Sequence, residues 1–169
     1  DLVRSRGLGD VYKRQVHREV LNVIRYGTVR TVGRLVFSYD GGLLKIRLPS
    51  GRNLIYLQPA ITASPSGFTE ISYQAADKGE LKTFSTYGPK LVENIVQGTA
   101  RDLLADTLVR LDHENNYQVV MHTHDEVITE APLSVTAESL CDLMAQGPLW
   151  AEGLPLSADG FASQYYCKA

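Results

Sequence analysis

VGRLVFSYDGGLLKIRLPSGRNLIYLQPAI, residues 32–61, is the stretch whose reading decides the fold. Its apolar residues gather into three short runs rich in Leu, Val, Ile, Phe and Tyr. The breaks between them, Asp40-Gly41-Gly42 and Pro49-Ser50-Gly51, are turn chemistry. Short β-rich runs bounded by Gly, Pro and Asp read as strands joined by tight turns. A further strand is expected at Phe68 to Gln74, followed by a turn at Lys78-Gly79. Residues 31–84 therefore read as a small antiparallel β-meander.

Working outward, Val16, Val20 and Ile24 lie four residues apart and predict a short amphipathic helix over Val16 to Arg25. Before it, Asp1 to Gln15 carries a basic excess and weak periodicity, and reads as a candidate non-native leader. Downstream, Tyr87-Gly88-Pro89 is a helix start signal with proline in the first turn. A long helix is expected from Lys90 to about Leu111, its apolar arc formed by Leu91, Ile95, Thr99 and Leu103 with Val92, Val96 and Ala100. Asn115-Asn116 would end it. YQVVMHTHDEVITEA, residues 117–131, alternates like two strands joined by a very tight turn around His124-Asp125-Glu126. A helix from about Thr136 to Gln146, stopped by Gly147-Pro148, and a last strand near Leu154 to Ala158 complete the pattern. The fold class is α+β, in three parts: the leader at 1–15, a short helix plus meander at 16–84, and an α/β region at 85–169.

Composition excludes some classes and leaves others open. No run of eighteen apolar residues occurs, so no transmembrane helix is expected, and no signal peptide is visible. The two cysteines, Cys141 and Cys167, are not in Cys-x-x-Cys spacing and fit free thiols in a reducing cytoplasm better than a disulfide or zinc site. The net charge of −2 argues, taken alone, against a nucleic-acid partner. Basic residues concentrated on one face would remain compatible with one. Trp150 and Tyr165-Tyr166 read as packing residues.

Two segments could carry chemistry. On the long helix, Lys90, Asn94, Gln97 and Arg101 are spaced by four, three and four, and fall in one narrow stripe opposite the apolar arc. Such a row of donors suits minor-groove edges, sugars and phosphates; the plain alternative is a solvated helix face. Gly98 beside the stripe costs roughly 1 kcal/mol in a helix interior, which points to something approaching closely there. At the hairpin tip, Asp125 and Glu126 are adjacent acids on paired strands, which would hold carboxylates rigidly enough for metal-ion work. The plain alternative is an ordinary turn, where Asp is common. His122 and His124 alternate onto one strand face, and a histidine in such a place is commonly a structural hydrogen-bonder.

Together these segments resemble family A DNA polymerases. Gln97-Gly98-Thr99-Ala100-Arg101-Asp102 is similar to the family's Gln-Gly-Thr-Ala-x-Asp helix segment, and His124-Asp125-Glu126 follows at the spacing of its His-Asp-Glu hairpin. Gly51-Arg52-Asn53-Leu54-Ile55-Tyr56-Leu57 resembles its Gly-Arg-…-Tyr-Leu-Pro stretch, with Gln58 before the proline. TYGPKLVENIVQGTARDLLAD, VVMHTHDEV and WAEGLPLSADGF look like the phage branch.

The resemblance implies that residues 85–169 form the C-terminal part of a polymerase palm, with the meander bordering the fingers. It implies that Asp125 is one of two aspartates holding a magnesium pair, with Glu126 nearby as a second catalytic carboxylate. His124 would contact the primer terminus, and Gln97 and Arg101, with Lys90 and Asn94, would lie along the primer–template minor groove. Family members carry asparagine four residues before the glutamine; here that position is Glu93, and Asn94 follows it. The implied reaction is template-directed nucleotidyl transfer from a dNTP, in the cytoplasm of a bacterial or phage-infected cell.

The family's first catalytic aspartate, on an Asp-Tyr-Ser-like strand, and its nucleotide-binding helix have no counterpart here. Ser38-Tyr39-Asp40 has those letters in the wrong order, at a turn. The expectation is therefore a C-terminal fragment, inactive by itself, that exposes an unpaired hairpin edge. Two other readings stay open: a non-catalytic module that binds DNA or a replication partner, and a metal-dependent hydrolase built on His122, His124 and Asp125.

Overall fold

The computed structural model describes residues 2–114 and 116–167, with side chains from residue 9 onward. The chain divides into two compact units, Asp1–Thr99 and Ala100–Ala169.

The first unit is a six-stranded antiparallel meander with a helix before it and half a helix after it. Helix α1 spans Leu2–Tyr26, so the helix expected over Val16 to Arg25 continues through the stretch read as a leader. Strands β1 (Arg30–Val32), β2 (Leu35–Asp40), β3 (Leu43–Arg47), β4 (Asn53–Ala63), β5 (Thr69–Asp77) and β6 (Glu80–Thr86) pair in sequence order. Turn chemistry fixes the registers. Gly41 and Gly42 both take positive φ, 57° and 78°, the geometry that a two-residue primed hairpin demands. They set Asp40 opposite Leu43 and Phe37 opposite Ile46.

Alternation then sends one set of side chains inward. Val32, Leu35, Phe37, Leu44, Ile46, Tyr56 and Ile71 are buried together with Val16, Val20 and Val23 of α1 and with Leu91 and Ile95. Each such side chain contributes about 1.5–3 kcal/mol by leaving water. The helix face therefore runs through Val23, with Ile24 only half-buried. β4 carries an irregularity between Leu57 and Ala60, where Gln58 sits at φ 47° and donates its N–H to the Gly42 carbonyl at 2.7 Å. The bulge accommodates Pro59, which has no ladder N–H to give.

Helix α2 runs Gly88–His113, with Pro89 in its first turn as the sequence predicts. Asn115, paired with Asn116 in the expected stop signal, lies outside the described residues. The apolar arc is narrower than the sequence suggests: Val96 and Ala100 are exposed. Leu91 and Ile95 are buried in the first half of the helix and Leu104, Thr107 and Leu111 in the second. At about 100° per residue the second set is out of phase with the first. The start of α2 presses on α1, and a Cβ built on Gly88 would lie 2.7 Å from the Lys13 carbonyl oxygen.

The second unit is thinly packed. Besides the rest of α2 it holds β7 (Gln118–Thr123), β8 (Glu126–Glu130), α3 (Ala137–Ala145) and a 3-10 turn at Leu149–Ala151. Thr136 caps α3, its hydroxyl accepting the Ser139 N–H at 3.2 Å. Arg110 joins α2 to the end of α3: it donates to Asp106 at 2.9 Å, to Thr107 Oγ1 at 3.1 Å and to the Leu143 carbonyl at 2.8 Å. The expected strand at Leu154 to Ala158 does not form; the segment is irregular. Pro155 has no N–H to give to a ladder, and both sheets keep their strand order without this segment. Tyr165 and Tyr166, read as packing residues, are exposed. The architecture is thus α+β, with a two-stranded sheet separate from the six-stranded one.

Candidate nucleic-acid interface and carboxylate hairpin

The donor stripe on α2 is partly as the sequence predicts. Lys90, Gln97 and Arg101 are exposed, the first two in the first unit and Arg101 just beyond the division of the chain. Asn94 differs: it is half-buried, and its Nδ2 donates to the Tyr56 hydroxyl at 3.0 Å. Position explains this. Asn94 lies three residues beyond Leu91 and one before Ile95, on the margin of the buried face. Burial pushes the Tyr56 phenol above its ordinary 10.0; the Asn94 bond partly offsets this, and nearby Tyr73 adds to the rise. Tyr56 therefore stays a neutral hydroxyl that accepts from Asn94. An edge-to-face contact with Tyr73, 5.0 Å between ring centroids, and a tilted contact from Tyr73 to Phe84 at 6.0 Å continue along the sheet.

Gly98 has the close neighbours that its place in a helix interior implies. A Cβ there would lie 2.9 Å from Leu48 Cδ1 and 3.3 Å from both Leu54 Cδ2 and Arg52 Nη2. Arg52 Nη2 donates to the Gly98 carbonyl at 2.9 Å. The sequence points to an approach at Gly98 but not to what approaches. Arg52 and Tyr56 are the site residues it misses, since each is tied to α2 by a tertiary contact that no local pattern announces.

At the hairpin, Thr123 faces Glu126 and closes a two-residue loop made of His124 and Asp125. His124 and Asp125 thus form the tight turn that the sequence predicts, while the expectation that His122 and His124 share a strand face does not hold, because His124 lies in the loop. His122 lies on β7 opposite Val127. His124 adopts φ 50°, unusual for a residue with a Cβ and costing on the order of 1–2 kcal/mol. Asp125 is exposed at the loop, while Glu126 opens β8 and is half-buried. The strands below are themselves little covered: Val120, at an irregularity between Val119 and Met121, is 52% exposed and Met121 44%.

Among the described residues no three or more His, Cys, Asp or Glu come together as ligands for a metal ion. Asp125 and Glu126 by themselves do not make a magnesium cage, and no reaction step can be assigned through one from these residues. Among the described residues no helix is long and apolar enough to cross a membrane.

The first unit therefore carries a helix face of donors anchored to a β-meander, and the second an acidic loop on a hairpin. Over 137 residues the chain is 44% identical to a DNA polymerase of Bacillus phage SP02. The match takes in 79% of this chain and 21% of that polymerase, so the chain spans about a fifth of the relative's length. A match of that extent necessarily includes both Gln97 to Asp102 and His124 to Glu126. No family model matches the chain, and no solved structure does.

Proposed function

We propose that this chain is the minor-groove-gripping and hairpin-bearing part of a phage DNA polymerase of family A. The observation that carries the reading is the 44% identity to the phage SP02 polymerase across both functional segments. The reaction is template-directed nucleotidyl transfer: the primer 3′-hydroxyl attacks the α-phosphate of a dNTP and pyrophosphate leaves.

In this reading Lys90, Gln97 and Arg101 donate hydrogen bonds from one helix face to sugar and base edges of the primer–template duplex, which positions the strand without reading its sequence. Asn94 serves that face from its margin through Tyr56. His124, in its strained turn, meets the primer terminus. Asp125 offers one exposed carboxylate, with Glu126 beside it, as part of a larger ligand set that would be needed to hold magnesium. The remaining carboxylate and the dNTP-binding residues come from sequence that this chain does not contain, so the chain alone binds primer–template DNA without extending it.

The test is primer extension by a complete polymerase containing this chain. Asp125→Asn should lower kcat by on the order of 10²–10³ while duplex affinity stays within about twofold. Undiminished synthesis by that variant would refute the catalytic assignment and leave a DNA-binding module.

A further inference from the structure

We infer that Arg52 is a positioning residue for the DNA-facing side of α2, acting through the Gly98 carbonyl. The inference rests on the reading of Lys90 and Gln97 as primer–template contacts and adds a residue that this reading does not assign.

The argument begins with what fixes a helix against a sheet. The contact between the first half of α2 and the meander is largely apolar, with Leu91 and Ile95 in one cluster with Leu48 and Leu54. Apolar burial is strong but non-directional, so by itself it leaves the helix free to roll by small angles. Directional bonds remove that freedom, and at least two cross this contact among the described residues. Asn94 Nδ2 donates to the Tyr56 hydroxyl at 3.0 Å, and Arg52 Nη2 donates to the Gly98 carbonyl at 2.9 Å. Asn94 and Gly98 are one helical turn apart, and Gln97 lies between them. The pair therefore sets the angle at which Gln97 leaves the surface.

Arg52 is built for this task. Its turn is braced by its own backbone: the Leu48 N–H donates to the Arg52 carbonyl at 2.8 Å, and the Gly51 N–H to the Leu48 carbonyl at 2.9 Å. The Arg52 N–H reaches Ser50 Oγ at 3.3 Å. Guanidinium is planar and always charged, and it bonds a carbonyl at the end of a long reach. A carbonyl has two lone pairs, so Gly98 can accept from Arg52 and still serve the helix. The missing side chain at Gly98 leaves room for Leu48, Leu54 and the guanidinium to meet at the backbone.

The experiment titrates a fluorescein-labelled primer–template duplex with the 169-residue chain, read by anisotropy at several KCl concentrations. The variants are Arg52→Gln, Gln97→Ala and the double variant, each checked by circular dichroism. Arg52→Gln should bind about tenfold more weakly with an unchanged salt dependence, since no phosphate contact is lost. Gln97→Ala should then cost little further in the Arg52→Gln background, because the two act as one unit.

Equal binding by Arg52→Gln overturns the inference while leaving the stripe intact. So does strict additivity with Gln97→Ala, which would make Arg52 merely structural. A salt slope reduced by about one overturns it in favour of a direct phosphate contact. If Arg52→Gln unfolds, Arg52→Lys keeps the charge and removes the planar fork, and the same coupling to Gln97→Ala is read there. Absence of binding by the unchanged chain would instead sink the reading of the stripe, and this inference with it.

Discussion

Replacing Gly88 by alanine should destabilise the first unit although alanine is the better helix former. The new Cβ would lie 2.7 Å from the Lys13 carbonyl oxygen, 3.0 Å from His17 Cβ and 3.4 Å from His17 Nδ1. The first of these is a main-chain atom inside α1, so relief requires the two helices to part by several tenths of an ångström rather than one side chain to turn. Overpacking of this kind costs about 1–3 kcal/mol. The helix preference of alanine returns at most about 1 kcal/mol, and less in a first turn. The net loss is about 1–2 kcal/mol, and each kcal/mol lowers the midpoint of a domain this size by roughly 4–8 °C. Urea and thermal unfolding followed by far-UV circular dichroism would measure it. Gly9→Ala is the control: it lies on the same helix α1 with nothing within 4 Å of its Cβ, and should be neutral or stabilising. If Gly88→Ala is as stable as the parent, the close approach of the two helices, and the reasoning built on it, is wrong.

His17 and Arg110 lead to two further outcomes. Burial holds His17 below its ordinary 6.5, and its Nε2 is buried without a hydrogen-bond partner among the described residues. The unfolded chain therefore takes up the proton more readily, so the stability from neutral His17 is complete above pH 6.5 and is lost as pH falls through the folded-state value. Between about pH 7.5 and about pH 5 the urea midpoint of the parent should drop further than that of His17→Gln; parallel curves would contradict this. Arg110→Met removes three hydrogen bonds to Asp106, Thr107 and Leu143. It should cost about 2 kcal/mol and speed amide exchange in α3, and unchanged protection there would refute its role as the tie.

Local chemistry explains what could be read from the sequence. Gly41-Gly42, Pro49-Ser50-Gly51 and Lys78-Gly79 specify turns within a few residues of themselves, so the meander was legible from composition and alternation. The extent of α2 was legible too, from Gly88-Pro89 and its long period. Which side of α2 is buried was legible only in its first half, through Leu91 and Ile95, because Val96 and Ala100 satisfy the period yet are exposed and the buried phase changes along the helix. Leu154 to Ala158 was read as a strand, but Pro155 withholds a ladder N–H and the segment stays irregular. For the site, the donors and the acidic loop were visible as residue types at given spacings. The diversion of Asn94 to Tyr56, and the use of Arg52 on Gly98, depend on contacts between distant segments.

The contact at Gly98 also constrains how this protein can change over generations. Leu48 and Gly98 share a single small volume, so neither position has an independent range of acceptable sizes. A methyl group gained at 98 would lie 2.9 Å from Leu48 Cδ1, so Leu48 must turn aside or give way to a smaller side chain. Changes at these two positions are therefore coupled, and alanine at 98 is best accommodated where residue 48 is smaller than leucine.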